Sequence, residues 1–60
     1  PVLIVNGDED VVTPLQAARQ LADRLPDARL EVLARCGHWP MLERTADCQR
    51  ALRDFLDRVR

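Results

Sequence analysis

Val2-Leu3-Ile4-Val5 is an uninterrupted apolar run, and it constrains the chain more than any other feature. A strand with one wet face alternates apolar and polar side chains, whereas a strand of a parallel sheet, covered on both faces, is apolar throughout. The run therefore predicts a covered parallel strand, ended by Asn6-Gly7. Asp8 to Thr13 reads as a loop, and Thr13-Pro14-Leu15-Gln16 as a helix start. In that start Thr13 caps, Pro14 takes the first helical position and Gln16 completes a capping box. Leu15, Ala18, Leu21, Ala22 and Leu25 recur at helical spacing, so one stripe of the helix faces inward until Pro26 stops it.

A second strand is expected over Leu30 to Ala34, with Cys36-Gly37 leaving it. After a further loop Thr45 can cap a last helix, whose apolar positions Cys48, Ala51, Leu52, Phe55, Leu56 and Val59 form a three-four repeat. The opposite face carries Arg50, Arg53, Asp54, Asp57 and Arg58. Its pairs Arg50–Asp54, Arg53–Asp57 and Asp54–Arg58 at helical spacing are worth only ~0.2–0.5 kcal/mol each, so the face reads as solvated and without function.

The fold class is thus α/β: strand, helix, strand, helix, with two parallel strands joined by a right-handed crossover. Residues 1–60 read as one portion of a domain rather than a whole one. A chain of sixty residues buries only ~60% of its unfolded surface, and two strands alone are marginal in water. The first strand expects neighbours that the chain does not contain, and the first residue is Pro1 rather than methionine. A fragment of something longer is the expectation.

Composition narrows the partners. The chain is 47% hydrophobic and 32% charged, with a net charge of −1. Such near-neutrality gives no attraction to nucleic acid or to an anionic membrane. All nine basic residues are arginines, scattered along the chain, and there is no lysine; no phosphate site follows from them. No apolar run approaches the ~20 residues of a membrane span, and no leader precedes the first strand, so the expected location is the cytoplasm. Cys36 and Cys48 stand at no recognised metal spacing, and a disulfide between them is left open.

The stretch Cys36-Gly37-His38-Trp39-Pro40-Met41-Leu42-Glu43 holds the one histidine and the one tryptophan of the chain. In a parallel pair the loops leaving the C-terminal strand ends emerge side by side, from strands ~4.8 Å apart. One loop carries Asp8, Glu9 and Asp10, and the other His38. Open α/β sheets bind ligands at this edge. A carboxylate on one ring nitrogen fixes the imidazole tautomer and leaves the other nitrogen free to accept a proton from a nucleophile. Taken singly, His38 is an ordinary loop histidine and the three acids a solvated turn, so the residues alone leave open which acid is the partner. Trp39 lines a substrate pocket or packs beneath the last helix. Cys36 is two residues from His38 along a strand end, which suits a small buried side chain better than a nucleophile. Glu43 reads as a carboxylate that ties down the final loop or helix start, and Gly7 and Gly37 as residues of tight turns.

Pro1 to Pro14, followed by Gly37-His38 twenty-eight residues after Asp10, resembles the C-terminal end of an α/β-hydrolase. That family orders its triad Ser, then Asp or Glu, then His. The acid stands in a G-x-x-D turn, matched here by Gly7 to Asp10, and the base in a Gly-His pair, matched by Gly37-His38. The resemblance covers essentially all sixty residues and implies Asp10 as the acid, His38 as the base, and no cofactor or metal. Arg35 to Trp39 also resembles the same stretch of hydrolases that cleave carbon–carbon bonds of meta-cleavage products. The implied reaction is hydrolysis of an ester, a lactone or such a vinylogous diketone, with Trp39 as a substrate-binding candidate. The departures are equally plain. The G-x-S-x-G elbow is missing, no serine occurs anywhere, and Thr45 stands where the family commonly has proline. The nucleophile is therefore expected from the remainder of a hydrolase domain, acting on a small-molecule substrate, with these residues inactive alone. Two rivals follow from other features. Asp8-Glu9-Asp10-Val11-Val12 fits the start of a haloacid-dehalogenase-like Mg²⁺-dependent phosphotransferase, and the shortness of the chain fits a non-catalytic remnant.

Overall fold

The computed structural model describes residues 1–59. The order is β1 (Val2–Gly7), α1 (Leu15–Arg24), β2 (Ala28–Leu33), α2 (Pro40–Glu43) and α3 (Thr45–Val59). The two strands pair in parallel, in register from Val2 opposite Ala28 to Gly7 opposite Leu33. Helices α1 and α3 each lie against both strands and share no packed interface among the described residues. On a sheet two strands wide, that places them on opposite faces.

β1 forms as its apolar run requires, but its cover is partial: Leu3, Ile4 and Val5 are half-buried, while Asn6 and Gly7 are buried. The buried apolar core is small, comprising Ala18, Leu33, Cys36 and Ala51. The inward stripes are correspondingly incomplete. Leu21 of α1 and Leu52, Leu56 and Val59 of α3 stay exposed, whereas Cys48 and Phe55 are half-buried. Both cysteines are free thiols.

Several boundaries differ from those read in the sequence. Strand β2 begins two residues before the predicted Leu30 and ends one before Ala34. The reason is the register: Asp27, at φ 55°, turns the chain sharply, and its carbonyl accepts the Val2 N–H at 3.0 Å, so pairing starts at once. Thr13 does not cap α1. Pro14 is the N-cap, in extended conformation and without a side-chain cap bond, and its carbonyl accepts the Ala17 and Ala18 N–H groups. The capping box with Gln16 is therefore absent, because the Thr13 backbone is taken up by the loop before it. The C-terminal end matches the reading, with Leu25 as C-cap and Pro26 next.

The loop after β2 contains a feature not foreseen, the single-turn helix α2, which opens on Pro40. It runs into α3 with only Arg44 between them. Thr45 consequently does not cap α3 as expected. It is the first residue of the helix, and its hydroxyl donates back to the Met41 carbonyl at 2.8 Å. On the polar face of α3, Arg50 meets Asp47 at 3.6 Å rather than Asp54.

Candidate active site

The last rung of the ladder sets the geometry. Beyond Gly7 and Leu33 the two chains stay together: the Asp8 N–H donates to the Leu33 carbonyl at 3.0 Å, and the Glu9 N–H to the Cys36 carbonyl at 2.9 Å. A Cβ at Gly7 would collide with the Cys36 and Gly37 carbonyls, so only glycine admits this approach. The two loops are thereby held side by side at the C-terminal rim of the sheet.

The three clustered acids then take different tasks. Asp8 Oδ1 accepts the Cys36 N–H at 3.3 Å and ties one loop to the other. Glu9 is exposed. Asp10 turns inward: its side chain is only 5% exposed, and its Oδ2 lies 3.0 Å from His38 Nδ1. Its Oδ1 accepts the N–H groups of Val12 and Thr13, both at 2.8 Å. The loop is closed from behind by buried Asn6, whose amide donates to the Gly7 carbonyl at 2.9 Å and the Thr13 carbonyl at 3.2 Å.

Electrostatics follow from these bonds. Burial pushes the Asp10 carboxyl up, but the Thr13 N–H, the His38 ring, the Val12 N–H and the His38 charge together outweigh it, so its pKa is lowered. An ionised carboxylate only accepts, so His38 Nδ1 carries a hydrogen and Nε2 holds the lone pair in the neutral ring. Among the described residues, Nε2 makes no protein hydrogen bond. The ring borders a hollow of about 320 Å³ that is also lined by Val5, Asn6, Asp10, Thr13, Pro40, Met41 and Cys48. A hollow of about 360 Å³ around Phe55 and Arg58 borders Pro1 and Ala28, the opposite ends of both strands.

The histidine loop is gripped from α2. Glu43 Oε1 accepts the Gly37 N–H at 2.9 Å, and Oε2 accepts the Trp39 N–H at 3.1 Å. A Cβ at Gly37 would lie 3.0 Å from Oε2 and 3.2 Å from Oε1, so glycine lets the carboxylate come this close. Next in the chain, Arg44 Nε donates to the carbonyls of Ala34 and Arg35, each at 3.2 Å. Trp39 does not pack beneath the last helix: it is 57% exposed and sits edge-on to the His38 ring, centroids 5.2 Å apart. Cys36 is fully buried, and burial, with the nearby Glu43 charge, pushes its thiol up, unlike an activated nucleophile.

Asp10, His38 and Trp39, read from the sequence as site residues, thus come together at one rim. The sequence reading missed the N–H groups of Val12 and Thr13, although an aspartate two or three residues before such groups is a familiar turn signal. It also missed Asn6, whereas Glu43, read as a carboxylate that ties down the final loop, does so through both oxygens. Among the described residues no cluster of three or more metal-ligating side chains is present, and no described helix is long and apolar enough to cross a membrane.

Comparison with known proteins adds the family context. A family model described as alpha/beta hydrolase fold matches residues 1–45. A proline iminopeptidase of Lactobacillus delbrueckii subsp. lactis is 45% identical over 56 residues, covering 93% of this chain and 19% of the relative. A 2-hydroxymuconate semialdehyde hydrolase of Pseudomonas putida is 41% identical over 54 residues, covering 90% and 19%. A pimeloyl-[acyl-carrier protein] methyl ester esterase of Aromatoleum aromaticum is 46% identical over 56 residues, covering 93% and 22%. The chain spans about a fifth of the length of these curated relatives. No solved structure matches it significantly.

Proposed function

The chain belongs to the alpha/beta hydrolase family, and from that premise we propose that Asp10 and His38 are the acid and base of a Ser-Asp-His triad. The observation that carries the reading is the 3.0 Å contact between Asp10 Oδ2 and His38 Nδ1. His38 Nε2 takes the proton of a nucleophile and returns it to the leaving group. Asp10 holds the ring in the required tautomer and stabilises the imidazolium. These sixty residues contain no serine, so the nucleophile comes from the remainder of a hydrolase domain. The haloacid-dehalogenase-like alternative is set aside by the family match.

The substrate is a small molecule with an ester, lactone or vinylogous diketone bond. Trp39, exposed edge-on to the imidazole and outside the lining of the adjoining hollow, is the candidate for a substrate contact. The methyl ester esterase among the relatives supports the ester, and the 2-hydroxymuconate semialdehyde hydrolase supports the resemblance of Arg35 to Trp39 to hydrolases of meta-cleavage products. The setting is cytoplasmic. The test is turnover of p-nitrophenyl esters. The chain alone is expected to be inactive, with activity returning only when the rest of the domain is supplied and disappearing again in His38→Ala. Hydrolysis by the isolated chain that survives His38→Ala overturns the proposal.

A further inference from the structure

Resting on the triad reading, we infer that Glu43 is a positioning residue that sets the direction of the His38 ring. A histidine in a loop is free to move in two ways, by rotation about its side-chain bonds and by drift of the backbone that carries it. Asp10 restrains the first through Nδ1. Against the second, Asp8 and Arg44 hold the loop further back, at Cys36 and at Ala34 and Arg35. Glu43 restrains it at the base itself: its two oxygens take the N–H groups of Gly37 and Trp39, the residues immediately before and after His38. A carboxylate that accepts on both oxygens makes charge-assisted bonds, about twice as strong as neutral ones. The peptide units flanking the base are therefore pinned at two points to α2, and Gly37 is the residue that leaves room for the clamp. Glu43 touches neither the ring nor the hollow beside it. Its effect reaches the reaction only through the placement of Nε2.

The test uses the complete hydrolase with Glu43→Ala, Glu43→Gln and Gly37→Ala. Rates are expressed per nucleophile titrated by a suicide ester, and the downfield Nδ1 proton resonance of His38 is recorded. Loss of the clamp displaces the base, and a displacement of about 1 Å costs up to ~100-fold. Glu43→Ala is accordingly expected to lower kcat about 10- to 100-fold with little change in KM, the pattern of an interaction needed only in the transition state. Its His38 resonance broadens or disappears. Glu43→Gln keeps one acceptor and places an amide against the other N–H, so its kcat falls between. Gly37→Ala leaves the carboxylate present but crowds it by a few tenths of an ångström, so its kcat falls less than that of Glu43→Ala.

A residue that serves stability alone gives a different result: less titratable enzyme, but an unchanged kcat per site and an unchanged resonance. That outcome overturns the inference. Should Glu43→Ala fail to fold, Glu43→Gln and Gly37→Ala decide it by the same two readouts. Asp10→Asn and His38→Ala serve as controls. If they retain full activity, the triad reading itself falls; if they are inactive while the Glu43 variants match the wild type, only the positioning role falls.

Discussion

Asp10→Asn tests the site most sharply, because three hydrogen-bond donors converge on one carboxylate. Oδ1 receives the Val12 and Thr13 N–H groups at 2.8 Å, and Oδ2 faces His38 Nδ1 at 3.0 Å. An asparagine offers one oxygen and one amide. With its oxygen toward His38, the amide points at two backbone N–H groups that cannot change their character. With its oxygen toward those groups, both 2.8 Å bonds survive, and the amide donates to Nδ1. The second arrangement wins, since the imidazole can adapt by moving its proton to Nε2. The variant therefore folds with its loop intact but presents a protonated Nε2, which cannot act as a base. In a serine triad the wrong tautomer lowers kcat about 10⁴-fold. The assay is kcat of the complete hydrolase with a chromogenic ester, together with ¹⁵N shifts of the His38 ring. Activity within about ten-fold of the wild type, or a ring still protonated at Nδ1, refutes the reasoning. Asp8→Asn is the internal control: its oxygen still accepts the Cys36 N–H, so kcat stays near that of the wild type.

Three further outcomes follow from the same contacts. Gly7→Ala forces a Cβ against the Cys36 and Gly37 carbonyls, which are backbone and cannot swing away; a loss of about 1–3 kcal/mol or more is expected as a lower urea midpoint. The lowered Asp10 pKa fixes a pH dependence. The folded state releases this proton more readily than the unfolded state, so the stabilisation is fully present above the unfolded value near 4 and is lost as pH falls through the folded one. Denaturation across the acid range checks it: the wild type loses stability there more steeply than Asp10→Asn. Cys36 is fully buried with its thiol pushed up, while Cys48 is half-buried; iodoacetamide followed by peptide mapping is expected to label Cys48 first, and equal rates refute the burial of Cys36.

What the sequence made legible and what it hid have a common physical origin. The apolar run of β1 and the crossover length determine a parallel pair, and a parallel pair puts the Asp10 and His38 loops at one rim whatever the details between. That is why the meeting of an acidic loop with His38 could be foreseen from topology, while the choice of Asp10 over Asp8 and Glu9 comes from the resemblance to the family's G-x-x-D turn. The misreadings are local. Thr13 looked like a helix cap, and Thr45 like another, because capping rules assume that a polar group near a helix start serves that helix. At this rim backbone donors are claimed by carboxylates that serve the loops instead. Asp10 takes the N–H groups of Val12 and Thr13, Glu43 those of Gly37 and Trp39, and Asp8 that of Cys36. The Asp10 bonds form a local turn whose spacing is present in the sequence. The bonds of Asp8 and Glu43 depend instead on how the chain folds back around the histidine loop, which no spacing encodes. The helical turn α2 belongs to the same account: it is short, opens on a proline, and places Glu43 and Arg44 beside the histidine loop. A site whose base sits on a loop needs that loop held as firmly as a strand. Here Asp8 and Asp10, two of the three acids that resembled a solvated turn, supply part of that holding, and Glu43 supplies the rest.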